Sequence, residues 1–226
     1  MPLQTETLSS YRTRVLRDLR DASQQYFNNQ HSATPFADLD AWINEGLRWR
    51  DLWSGGSRSY RANVPLTQQI DQYDLRVLFP TDTVLDIATL WLLYGSFRVQ
   101  LGEAAFSDVT NRWRPWQNYS NVPGAYCRYG ATGVFIATAP AGPYTVDWDV
   151  VVLSPPVVNP GDADVLPYPY TEPVVPYACH LAKKYMRRWD EAEIFYAGAV
   201  RALRDIEGAR LGQLPVPSVT ARGTRA

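Results

Sequence analysis

The spacing of apolar residues changes period twice along this chain, and that change limits the folds open to it more than any other feature. Near the N-terminus Leu8, Tyr11, Val15, Leu19, Ala22 and Tyr26 recur at steps of three and four, which places them on one face of a helix predicted over residues 6–28. Asp38 stands as N-cap before a second helix with Leu39, Trp42, Ile43, Leu47 and Trp49 or Trp53 on its apolar face, and Ser54-Gly55-Gly56 supplies left-handed backbone to end it. The pattern then turns to strands. Segments 75–79, 84–94, 97–101, 125–129, 134–137 and 144–153 are short, rich in β-branched and aromatic residues, and separated by Gly, Pro and Asp, as in an antiparallel sheet. Residues 103–112 fit either a short helix or a loop. Helical spacing returns after Thr171. One stripe is Tyr177, Leu181, Tyr185 and Met186; the other is Ala192, Phe195, Tyr196, Ala199, Val200, Leu203 and Ile206. Trp189-Asp190 is the expected joint of a helical hairpin, with Asp190 as its cap.

Helices, strands and helices in that order predict an α+β protein: a helical bundle built from both ends of the chain, an inserted antiparallel β domain, and an extended C-terminal tail. The expected divisions are residues 1–56 and 171–208 for the bundle, 57–170 for the β domain and 209–226 for the tail. Seven of the 17 prolines fall between Pro155 and Pro176, which predicts a connector running over the surface with little regular structure. At 226 residues and 46% hydrophobic, the chain can bury a core without disulfides or structural metals.

Composition removes several function classes. A formal net charge of -1 leaves no generally basic surface for nucleic acid, so any such contact is local. Cys127 and Cys179 are far apart and outside any C-x-x-C spacing, and read as two buried thiols. The histidines are His31 and His180, and the adjacent Cys179-His180 pair cannot wrap one tetrahedral zinc. The first residues lack a basic stretch followed by an apolar one, so no signal peptide is expected, and no apolar run approaches a membrane span. Asn118-Tyr119-Ser120 matches a glycosylation sequon, discounted without an export signal. Phosphate-loop, dinucleotide, nucleophile-elbow and zincin motifs are missing. Asp147 and Asp149 share one strand face and read as a solvated face, not an acid/base pair across a cleft. Asp162 and Asp164 lack the remaining spacing of a calcium loop. No catalytic residue, cofactor or metal is assigned.

Two features look outward instead. Arg112, Trp113, Arg114, Trp116 and Tyr119 form the densest aromatic cluster in a chain with 8 Trp and 14 Tyr. The cluster fits a protein interface, a sugar-stacking platform or a minor core beneath a loop; the arginines favour the interface. The last residues carry Arg210, Leu211, Leu214, Val216, Val219, Arg222 and Arg225 among prolines and glycines, with no acid. Such a segment is either a disordered end or one that orders on a partner.

The order of segments also resembles a family. Residues 36–50, with Asp-x-x-x-x-Ile-Asn-Glu-x-Leu-Arg from Asp38 to Arg48, are followed by Tyr73-Asp-Leu, a Leu78-Phe-Pro-Thr-Asp turn and Pro123-Gly-Ala-Tyr126. Then come Ala139-Pro-Ala-Gly-Pro-Tyr-Thr-Val, Pro155-Pro and the closing helices from Tyr177-Ala. Together they are similar to head-to-tail adaptor (connector, head completion) proteins of tailed bacteriophages, over roughly residues 8–208. The resemblance implies a non-enzymatic virion structural protein made in the host cytoplasm and residing in the neck. It implies a homo-oligomeric ring, usually twelvefold, below the portal protein and above a tail, nozzle or terminator protein, with genomic DNA passing through the lumen and no membrane contact. It also makes residues 210–226 the portal-docking element. A phage tail or baseplate module binding carbohydrate or a host receptor through the Trp-rich loop is the alternative.

Overall fold

A computed structural model describes residues 5–20, 36–112 and 120–213. The protein is α+β: helices from both ends pack together, and the strands lie between them in sequence. It divides into a helical unit, residues 1–54 with 156–226, and a β unit, residues 55–155. Residues 156–170, read from sequence with the strands, go with the helices.

In the helical unit, α1 (Leu8–Asp18) buries Leu8, Tyr11, Val15 and Leu16. Thr7 caps it, its hydroxyl accepting from the Ser10 N–H at 3.3 Å. The helix ends well short of the expected residue 28, because Arg20 takes a left-handed φ of 60° and donates its N–H to the Arg17 carbonyl. Ala22 and Tyr26 lie outside the described residues. α2 (Ala37–Ser54) begins one residue before Asp38, which therefore sits in the first turn instead of capping it. Its end is as expected, at Gly55 and Gly56 with φ of 84° and 62°. Leu39, Ile43 and Leu47 enter the core, whereas Trp53 is exposed.

α5 (Val174–Tyr185) and α6 (Trp189–Gln213) form the hairpin. Its joint is Met186-Arg187-Arg188, with Arg187 at φ 59°; Trp189 and Asp190 already belong to the first turn of α6. The buried face of α5 also differs from the aromatic stripe read in sequence. It is Val175, Ala178, Cys179 and Ala182, while Tyr185 points outward. Small residues let neighbouring helices approach closely. Gly46 of α2 shows how closely: a Cβ there would lie 3.0 Å from the Val174 carbonyl oxygen. On α6, Ala192, Ala199, Leu203 and Ile206 are buried, as expected.

The proline segment is more than a surface connector. Val157 and Asp164 are buried, and its backbone receives the first amides of α1: Leu8 N–H donates to Asp162 O and Ser9 N–H to Pro160 O. Asn44 of α2 clamps Val157 on both sides, donating to its carbonyl and accepting from its N–H, each at 2.9 Å. The Asp162 carboxylate is committed locally, accepting from Asn159 and Val158 N–H groups, which holds its pKa below the usual carboxylate value. That contribution to stability is present above the unfolded carboxyl pKa and is lost as pH falls through the lowered folded value.

The helical unit also encloses a buried ion cluster. Arg50 donates to Asp51 at 2.9 Å and with both terminal nitrogens to Asp164. Tyr11 donates to Asp164 at 2.6 Å. Arg50, Asp51 and Tyr11 are fully buried, and α1, α2 and the proline segment meet there.

In the β unit, one four-stranded antiparallel sheet runs β1 (Ser57–Pro65), β10 (Thr145–Val152), β3 (Val84–Tyr94), β4 (Phe97–Gln100). A second runs β2 (Gln72–Asp74), β8 (Gly133–Ala137), β7 (Ala125–Tyr129), β5 (Gly102–Glu103), with β5 parallel to β7. A short parallel pair joins β6 (Ser120–Asn121) to β9 (Ala139–Pro140). Side chains of both larger sheets share one core, in which Val146, Trp148, Val150 and Val152 enter at every second position of β10. On β3 the inward residues are Ile87, Leu90 and Leu92; the three-residue step sits at a register shift opposite Asp149 and Val150.

Residues 75–79 were expected as a strand and instead open a short helix, α3 (Leu75–Leu78), because the Asp74 carboxylate caps the Arg76 N–H at 2.9 Å. Of the two options for residues 103–112, the structure takes helix α4 (Phe106–Arg112).

Candidate assembly surfaces

Several groups weighed for chemistry are spent on structure. Asp147 is buried, not solvated; it accepts from the Asn63 N–H at 2.9 Å and pairs with Arg98 at 3.1 Å. Asp149 pairs with Arg58 at 3.3 Å. His180 donates from Nδ1 to the Ala192 carbonyl at 2.9 Å, an ordinary link between α5 and α6. His31 lies outside the described residues.

Both cysteines are free and buried, and burial pushes the Cys179 thiol up to about 12. Thiolate is the reactive form, so neither cysteine should react with iodoacetamide at pH 8 in native protein, and both should react in urea. Mass spectrometry of the alkylated chain checks this. Among the described residues no group of three or more His, Cys, Asp or Glu is placed to hold a metal, and no helix is long and apolar enough to cross a membrane.

What the helical unit does present is an aromatic seam where α2 lies against α5. Trp42 meets Tyr185 with ring centroids 5.6 Å apart, and two turns on Trp49 stacks on Tyr177 at 4.6 Å and 14°. Tyr196 of α6 closes on Trp49 edge-on at 6.2 Å and on His180 at 5.2 Å. Each such pair contributes about 0.5–1.5 kcal/mol beyond area burial, so the seam is preorganised. It is also unfinished: Tyr185 is 70% exposed, and Trp53, one turn beyond Trp49 on α2, and Trp189, at the start of α6, are 61% and 60% exposed. Clustered, half-covered aromatics of this kind mark surfaces awaiting a partner. Lys183 and Arg188 beside them pair with Glu191, and the hydrogen bond from Lys183 lowers the Glu191 pKa.

The β unit has a second surface. β4 is an edge strand exposed along its length, with Phe97 68% and Val99 51% exposed. Arg98 folds back over the Trp91 ring at 4.8 Å, and its pairing with Asp147 leaves the strand without an uncompensated charge. An apolar sheet edge is a site where another chain can pair.

Sequence reasoning named the α2 tryptophans as core-facing but did not see this seam, because its other half comes from tyrosines more than a hundred residues away. The clusters it did single out lie mostly outside the described residues. Arg112 is the last residue of α4. Trp113, Arg114, Trp116 and Tyr119 lie outside the described residues. Arg210 and Leu211 belong to the last turns of α6, which continues past Gly208 to Gln213, and Leu214, Val216, Val219, Arg222 and Arg225 lie outside the described residues.

The Asp38–Arg48 motif, by contrast, acquires a physical meaning. Ile43 and Leu47 are its core contacts, Asn44 is the clamp on Val157, and Gly46 is the point of closest helix approach. A family model described as SU10 adaptor protein matches residues 7–222, nearly the whole chain; no curated protein matches it. The surfaces and the match agree in pointing to a structural role in which the protein binds other virion components. The chain belongs to the SU10 adaptor protein family, a family of phage head-tail adaptors.

Proposed function

We propose that the chain forms a ring, twelvefold by family resemblance, below the portal of a tailed phage. The ring joins the DNA-filled head to the tail protein beneath, and the residues from Arg210 onward dock on the portal. The observation that carries this reading is the unfinished aromatic seam of the helical unit. A closed ring requires two different faces of one subunit to meet, and a rigid, half-exposed row of Trp and Tyr is suited to one of them. The exposed β4 edge supplies apolar surface of the same kind on the β unit. A net charge of -1 suits a channel through which DNA slides, since a strongly basic lumen would retain phosphate. The carbohydrate-binding alternative rests on residues 113–119 and gains nothing from the described surfaces.

Trp53→Glu tests the ring directly. Trp53 is outside the core, so the melting temperature should stay within about 2 °C of the parent, corresponding to under about 0.5 kcal/mol. Rings on portal-bearing heads, counted by electron microscopy, should fall at least tenfold, as expected on placing a charge in a desolvated contact. Undiminished ring occupancy would remove the seam from the interface.

A further inference from the structure

A groove of about 380 Å³ opens on the helical unit between the turn before α5 and α6. Its lining is Tyr168, Pro169, Glu172, Ala202, Asp205 and Ile206. Ile206 and Ala202 give it an apolar floor, and Tyr168, 62% exposed, stands as an open wall. Two carboxylates and no cation line it. Glu172 is partly engaged by Arg14 at 3.1 Å, whereas Asp205 has no ion pair among the described residues and faces solvent.

We propose that this groove holds the chain's own C-terminal segment, residues 214–226, in the unassembled protein. Charge complementarity supports that occupant. The segment carries Arg222 and Arg225 without an acid, and Leu214, Val216 and Val219 between them and the helix, the counterpart of an apolar floor rimmed by carboxylates. Reach supports it equally. Helix α6 ends at Gln213, about 10 Å along its axis from Ile206 at 1.5 Å per residue. Residues 214–226 span about 40 Å when extended at about 3.3 Å per residue. A chain that reverses at Pro215 and runs back extended has four residues, about 13 Å at about 3.3 Å per residue, to carry Val219 to a point between Ile206 and Ala202, with Arg222 beyond it to reach Asp205 or Glu172.

This inference goes beyond portal docking and concerns the chain before any portal is met. On attachment the portal must draw the segment out of the groove, so a free subunit keeps its apolar, basic end covered.

The test uses the full chain, purified without portal. Ala202→Cys with Val219→Cys should close a disulfide within one chain under mild oxidation, at least tenfold faster than the off-groove pair Ile194→Cys with Val219→Cys. Cys127 and Cys179 are buried and do not compete. Adding Asp205→Lys should slow closure at least tenfold. Tyr168→Cys with Val219→Cys repeats the measurement at an exposed wall position, should Ala202→Cys disturb folding. Cross-links only between chains would overturn the proposal in favour of a second copy as occupant. Closure no faster than the off-groove pair would overturn it outright. Since no portal is present, either failure leaves portal docking to be judged by its own experiment.

Discussion

Arg50→Ala should cost the helical unit about 3–5 kcal/mol, the usual penalty for removing one partner of a buried ion pair. Arg50 is fully enclosed and binds two carboxylates, Asp51 and Asp164. Without the guanidinium both acids are left in a site with little solvent, and each must take up a proton or draw in water. Tyr11→Phe removes only one hydrogen bond to Asp164 and should cost about 1.5–3 kcal/mol. Urea unfolding followed by far-ultraviolet circular dichroism separates the two variants. Because the chain has two units, the transition assigned to the helices is the one to compare. If Arg50→Ala unfolds within about 1 kcal/mol of the parent, a margin typical of surface substitutions, the cluster does not hold the unit together.

Truncation after Gln213 should abolish attachment to portal-bearing heads while leaving the fold unchanged. The cut lies beyond the last residue of α6 and removes no core side chain among the described residues, so the far-ultraviolet spectrum should match that of the full chain. Infectious particle yield is the readout, and a truncated chain that still completes particles would refute portal docking by this segment. Leu214→Asp is the finer variant. A charge at a desolvated contact should weaken attachment by a few kcal/mol, seen as a rise in the concentration needed to saturate heads.

Much of the fold was legible wherever one face of an element is buried. The α1 residues Leu8, Tyr11 and Val15, and the β10 residues Val146, Trp148 and Val150, announce themselves by spacing, because burial of one face imposes the period. The misread elements are those in which something else decides. β1 is an edge strand with most of its length exposed, so it has no apolar alternation to read. Leu75–Leu78 has strand-like composition and is turned helical by one capping carboxylate at Asp74. In α5 the large aromatics drew attention, but helix proximity demanded Ala178, Cys179 and Ala182, and Tyr177 and Tyr185 were displaced to the rim. The candidate site was less legible still. Arg50 and Asp164 are 114 residues apart, and neither charge pairing nor aromatic stacking at such separation leaves a local pattern. The Asp38–Arg48 motif was recognisable as a string, but only the structure shows that its asparagine fastens a distant proline segment.

The discontinuity of the helical unit governs the order in which the protein can be made. The β unit is a single stretch, residues 55–155, and every strand of it leaves the ribosome before Val157, Asp164 or α5 does. α1 and α2 must therefore wait with Leu39, Ile43 and Leu47 uncovered while some hundred residues are synthesised, at about 5–20 residues per second. During those seconds the nascent chain offers chaperones a greasy, arginine-bearing pair of helices. Premature termination anywhere within the strands should yield an aggregation-prone fragment rather than a usable half.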